Sequence, residues 1–232
     1  MKRVWLLLVL AACERDGVRL HVAPQAVGSR STFHLRLDGS MNHNGSDLGA
    51  HEEMGLVIVV ESMGSNGRAD RLRVTVDRDD SVFDGQPQPT LSGTYELNDA
   101  GDATRADGKP LAPNEVDFFK QWSESGNDLE AMRHEFRAGE TFRPTDREVA
   151  AFGLPRSKTP LALSVRRATE GEIVLTGNFV PIESTAAIEG HGRVDVTMTP
   201  RSHKLVSDVT LVENGKEVGT IHVATELLRQ QR

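Results

Sequence analysis

Apolar and polar residues alternate with a period of two along most of this chain. Phe33, Leu35 and Leu37 are separated by His34 and Arg36, and Leu72, Val74 and Val76 by Arg73 and Thr75. Leu91, Gly93, Tyr95 and Leu97 are separated by Ser92, Thr94 and Glu96. The period returns at Leu161, Leu163 and Val165, at Ile173, Leu175, Gly177 and Phe179, and at Val194, Val196 and Met198. Successive side chains of a strand point to opposite faces, so each set predicts a strand with one wet face. Met54 to Glu61 is almost continuously apolar and predicts a strand covered on both faces. Asp38 to His51, rich in Gly, Asn, Ser and Asp, reads as a loop, and Asp84-Gly85 with Pro87 and Pro89 marks another. Asn214-Gly215 is the strongest hairpin signal, because a type I′ turn needs positive φ at both central positions. With Leu205, Val209 and Leu211 before it and Val218 to Thr225 after it, it predicts a C-terminal antiparallel meander.

The middle of the chain changes period. Val116, Phe119 and Trp122 recur at helical spacing. Asn127 opens a second predicted helix in which Leu129, Met132 and Phe136 share a face, Glu130 is placed to reach back to the cap, and Gly139 ends it. Thr145 and Glu148 form a capping-box pair for a short third helix carrying Val149 and Phe152, stopped by Gly153 and Pro155. The fold class is therefore mainly β (α+β): a large curved antiparallel sheet or half-barrel, four to five strands on each side of a helical insertion at about 114–155.

The N-terminus carries a different signal. Lys2 and Arg3 precede a short apolar run, Val4 to Leu10, far below the about 20 residues that span a bilayer. Leu10-Ala11-Ala12 then leads into Cys13, the only cysteine. Basic start, apolar middle and small residues before a cut site make an export signal. With the cysteine directly after them, these residues resemble the lipobox of bacterial lipoproteins. The resemblance implies cleavage before Cys13, acylation of its sulfur (palmitate or a similar chain) and attachment to a membrane through those chains. A lone thiol has no intramolecular disulfide partner, which agrees with that role. The expected domains are a signal peptide at 1–12, a lipidated tether at 13–28 with a short strand near Val18 to Val22, and one β-rich domain at 29–232. Glu14, rather than Asp, follows the cysteine and points to the outer membrane of the cell envelope.

Composition narrows the partners. Removing the first 12 of 232 residues leaves 25 basic and 34 acidic side chains, a net charge of −9. An acidic body argues against nucleic acid and against a polybasic grip on anionic lipid. Aromatics are sparse, which disfavours a sugar-stacking platform. In layout, strands around a helical insertion, the chain is similar to the half-barrel of the periplasmic lipoprotein carriers and their outer-membrane acceptor. No functional residues carry over from that family, because no motif beyond the lipobox matches.

Candidate chemistry is thin. His34, His43 and His51 with Glu52 and Glu53 are the most tempting metal cluster, but the second His of a helical zinc motif is missing, and strand-face and loop positions explain them. Ser40 to His51 lacks the first and last acidic ligands of a calcium loop, and Asp77, Asp79, Asp80 and Asp84 read as a solvated acidic turn. No nucleophile elbow, Ser-x-x-Lys or phosphate loop is present. His191, between Gly190 and Gly192, reads as a turn. No metal or cofactor is expected. Phe118, Phe119, Trp122, Phe136 and Phe152 gather in the insertion, where they either dock it on the sheet or line an apolar cavity. The candidate ligand-binding residues are accordingly Phe119, Trp122, Phe136 and Phe152, and the lipidation site is Cys13. The expected function is a lipid-anchored, non-enzymatic envelope protein that binds an apolar ligand or a protein partner through its curved sheet. The alternatives are an assembly lipoprotein without a cavity and a periplasmic hydrolase whose site the sequence does not reveal.

Overall fold

The computed structural model describes residues 17–18, 26–65, 69–98, 100–125, 134–182, 184 and 188–231; the side chains of 121–125, 147, 150, 151 and 231 lie outside the description, as do Cys13, the signal segment expected at 1–12 and the predicted helix start at Asn127. The strands before the insertion are β1 (Arg30–His43), β2 (Ser46–Met63), β3 (Ala69–Phe83), β4 (Gln86–Pro87), β5 (Gly93–Asn98) and β6 (Ala103–Arg105). Helix α1 (Pro113–Ser125), β7 (Thr141–Phe142) and helix α2 (Asp146–Ala151) follow. The chain closes with β8 (Ala162–Thr169), β9 (Glu172–Phe179), β10 (Ile188–Met198), β11 (Ser202–Glu213) and β12 (Lys216–Gln231). All twelve strands belong to one open antiparallel sheet, ordered β6-β5-β3-β2-β1-β12-β11-β10-β9-β8-β7, with β4 beside β3. The first and last long strands thus meet in the middle of the sheet, paired from Ser31–Gln231 to His43–Gly219.

Several expectations change at this level. Asp38 to His51 is not a loop. Only Asn44 and Gly45 turn, with φ of 50° and 82°, and the flanking Asn, Ser and Gly residues continue the two strands. A two-residue turn needs no more chain than that, and the Asn42 amide donates to Asp47 across it at 2.6 Å. The acidic turn also contracts: Asp77, Asp79 and Asp80 lie in β3, and only Asp84-Gly85 turns. Met54 to Glu61 is buried on one face only, since Val57 and Val59 on the other face remain half-exposed. His191 sits inside β10 with its side chain exposed, not in a turn. Its neighbour Gly192 is a close-approach position, where any Cβ would lie 2.4 Å from the Phe179 ring. Phe136 is not helical. Its backbone pairs with Val18 through two 2.8 Å hydrogen bonds, fastening that N-terminal residue to the insertion.

Direct cross-strand partners share a face. The register runs from Phe142 through Leu163, Gly177, Val194, Ser207, Val223, Gly39 and Ala50 to Phe83, all on one side of the sheet. That side is apolar; the opposite side carries ion pairs such as Arg36–Asp38, Arg78–Glu53 and Arg193–Asp195. Bulges at Gly55/Leu56, Val60/Ser62, Val165/Arg167 and Leu211/Val212 bend the strands.

The apolar side holds two cores rather than one. Met54, Leu56, Ile58, Val74, Tyr95, Leu97 and Phe119 form the first, over β2, β3 and β5. Phe136, Phe142, Phe152, Leu163, Leu175, Val194, Val196 and Met198 belong to the second, over β8 to β10. The start of α1 caps the first, and residues 134–161 with α2 cap the second. The two helices touch, so covers seated on opposite halves of one face meet between them.

Candidate functional site

Between the two cores lies a strip of apolar sheet that neither core absorbs. Its floor is β1 and β12. Leu37 and Met41 on β1, and Val223 and Leu227 on β12, are half-buried and belong to neither cluster. Small residues deepen it: Gly39 faces Val223 on one side and Ala50 on the other. Phe33 and Leu35 lean towards the first core and Ile221 towards the second. The strip, the β1–β12 seam, is less buried than the cores on either side of it, whose members are at most 9% exposed.

One end of the seam is polar. Arg229 pairs with Phe33 across β12 and β1, and its guanidinium lies over the Phe33 ring, 5.6 Å from the centroid. Its Nε and one terminal nitrogen are buried without a hydrogen-bond partner. Burial pulls its pKa below the ordinary arginine value, although a guanidinium stays charged at neutral pH. His203 on β11 pairs with Leu227 and stands diagonally beside Arg229 on the same face. Its Nε2 is also buried and unpartnered, and burial lowers the imidazole to about 4, which keeps it neutral. On the other flank of the seam stand Glu52 and Asp79, both raised above the ordinary carboxylate range. For Glu52 the causes are burial and then the nearby Asp79, and for Asp79 chiefly burial. Asp79 accepts a hydrogen bond from the Leu91 amide through one oxygen, while the other is buried without a partner.

The aromatics singled out from sequence divide between the two covers. Phe119, 2% exposed, joins the first core against Tyr95 at 4.7 Å. Phe136 and Phe152, each 1% exposed, lie together in the second core with Phe142 between them, at 5.2 and 6.0 Å. Trp122 lies on α1 with its side chain outside the description. Phe142, which sequence reasoning passed over, completes the second cluster, and His134 stacks on it at 4.5 Å. The seam residues were passed over too, although their parity marks them. Leu205, Ser207 and Val209 place His203 on the apolar face, and Val223 with Leu227 places Arg229 there.

The polar face offers a different arrangement. Ser40, His222 and Asp208 lie in one cross-strand row, with His222 Nδ1 2.6 Å from Asp208. The pair is half-exposed, and among the described residues no hydrogen bond joins Ser40 to His222. A row on an open, charged face lacks the desolvated oxyanion site that acyl transfer requires. His51 forms a similar exposed pair with Asp38 at 2.7 Å. Among the described residues no three His, Cys, Asp or Glu side chains converge as metal ligands.

No protein-family model matches the chain, and no curated protein matches it. Among solved structures it is similar to lipovitellin, in a structure concerned with lipid–protein interactions, at 9% identity and a TM-score of 0.47. That match covers 88% of this chain and 25% of the other, so the chain spans a quarter of the length of the lipovitellin it matches. It is also similar to an S-type phycobiliprotein lyase, CPES from Guillardia theta, at 9% identity and a TM-score of 0.28, covering 89% of each chain. Likenesses this distant carry no argument about function.

Proposed function

We propose that this protein is a lipid-anchored envelope protein that holds an apolar ligand along the seam between its two cores. One observation carries the ligand: Leu37, Met41, Val223 and Leu227 form a half-open apolar floor on a face whose flanks are packed shut. Filling the seam removes apolar surface from water at roughly 25 cal/mol per Å2, a gain that folding alone leaves unused there. The anchor rests on the sequence resemblance of Leu10-Ala11-Ala12-Cys13 to a lipobox. Its setting is the outer membrane, with the body in the periplasm.

Native mass spectrometry of the protein purified from its own envelope tests the ligand. A lipid adduct on the unaltered protein, lost when Val223 and Leu37 are both changed to Asp with the fold retained, is the expected result. Protein recovered without any adduct, and unable to take up a fluorescent apolar probe, would leave the assembly-protein alternative standing in its place.

A further inference from the structure

Arg229 is hard to account for as a structural residue. A charge withdrawn from water is tolerated when it is paired or fully hydrogen-bonded. Arg229 has a ring face beneath it, but among the described residues it has no anion, and two of its nitrogens are buried and unbonded. The sheet carboxylates described on the same face are distant: Glu52 and Asp79 stand on β2 and β3, two and three strands away, and Glu213 stands at the far end of β11. Glu226, on Arg229's own strand, points to the opposite face with Arg36. Beside Arg229, His203 adds a third buried nitrogen without a partner among the described residues. From there the floor runs along β12 through Leu227, Thr225 and Val223 to Ile221. Eight residues of strand span about 27 Å. One leaflet of a bilayer's hydrocarbon is about 15 Å thick, half the roughly 30 Å core, so an extended lipid chain fits inside that length.

We infer that the seam takes a long-chain amphiphile with an anionic head, the head on the Arg229 guanidinium with His203 beside it and the chain laid over Leu227, Leu37 and Val223. The inference rests on the ligand-binding reading above and adds to it the sign and place of the head. A guanidinium presents parallel donors to two oxygens of a carboxylate or a phosphate, so either head satisfies the site chemically. The head would supply the partner that Arg229 lacks, in a medium where such a pair is stronger than in water.

The test measures binding of cis-parinaric acid, a fluorescent fatty acid, and of its methyl ester to the intact chain. The expected result is that the acid binds at least tenfold more tightly than the ester. Arg229→Met should abolish that preference and leave the ester's affinity within twofold, while Arg229→Lys should keep part of it. The acid–ester comparison on the unaltered protein stands even if Arg229→Met fails to fold. Equal binding of acid and ester to the unaltered protein, or an acid affinity unchanged by a folded Arg229→Met, overturns the inference and leaves the apolar-ligand reading intact. Failure of both probes to bind overturns both. Displacement of the acid by palmitate alone assigns a carboxylate head, and tighter displacement by lysophosphatidate assigns a lipid phosphate. Displacement by inorganic phosphate alone, with neither amphiphile effective, overturns the inference.

Discussion

Tyr95 on β5 donates its phenolic hydrogen to Glu115 in the first turn of α1, 2.6 Å away, and so ties the cover of the first core to the sheet beneath it. Glu115 is buried, and its second oxygen accepts the Ala112 amide at 2.7 Å, the reach-back half of a capping box with Pro113 as the first helical residue. Arg105 adds an ion pair to the same carboxylate and lies over the Tyr95 ring at 5.6 Å. Burial raises the Glu115 carboxyl, but the Tyr95 hydroxyl, the Ala112 amide and Arg105 outweigh it, and its net pKa is lowered. Removing one member of such a network strands the others. Glu115→Ala should cost about 3–5 kcal/mol and Tyr95→Phe about 1–3, read as shifts in urea midpoint. Equal, negligible costs would show that α1 is held by Phe119 alone.

Stability should fall on both sides of neutrality. The unfolded chain protonates the His203 imidazole near its ordinary 6.5, the folded chain only at about 4, so the folded state binds fewer protons between them. Stability is therefore lost as pH drops through that window, by roughly 3 kcal/mol at its foot. Glu115, whose pKa is lowered, adds a further loss as pH falls from its ordinary 4.5 through its folded value. On the basic side Tyr95 is pushed up to about 12, first by burial and then by its bond to Glu115. Its contribution is complete below pH 10 and disappears as pH rises through about 12. Urea midpoints across the pH range should show His203→Leu flattening the arm between 6.5 and 4 and leaving the basic arm unchanged.

The pairing of β1 with β12 should be intolerant of bulk at Gly219. A Cβ there would lie 2.2 Å from the Asn42 carbonyl oxygen and 3.1 Å from the His43 Cα, both backbone atoms of the neighbouring strand. Gly219→Ala should destabilise by about 1–3 kcal/mol or more, because neither atom can yield without moving β1. Gly49→Ala meets nothing within 4 Å and should change the thermal midpoint little.

The seam and the cores should respond differently to the same truncation. Leu163, with no exposure, should cost about 2–5 kcal/mol when changed to Ala. Leu37 on the seam is half-exposed and should cost about 1 kcal/mol or less. Chemical denaturation of the ligand-free protein separates the two, and a Leu37→Ala loss as large as Leu163→Ala would mean that the seam is packed rather than open.

Cys13→Ala should abolish incorporation of labelled palmitate and release the protein from membranes without detergent. A variant that still pellets with membranes would remove the lipobox from the account.

Much of the fold is written in local pattern. The period-two runs at Leu72–Val76 and Val194–Met198 fall inside β3 and β10, the run at Leu161–Val165 enters β8 after its first residue, and Thr145 with Glu148 forms its capping box, the Thr145 amide donating to Glu148 at 2.8 Å. These features depend on residues two to four apart, whose physics a sequence displays directly. The loop expected at Asp38 to His51 failed because turn-type residues also sit comfortably on a polar strand face, and only φ at Asn44 and Gly45 distinguishes the turn itself.

The sequence by itself determined an amphipathic, mainly antiparallel sheet interrupted by helices. Only the tertiary structure decided that β1 pairs with β12, because that register joins residues nearly a whole chain apart and no local spacing encodes it. That pairing creates the seam. It sets the two cores on either side of one apolar face and brings Arg229 over Phe33, where a residue that reads as an ordinary surface arginine has two buried nitrogens without a partner among the described residues.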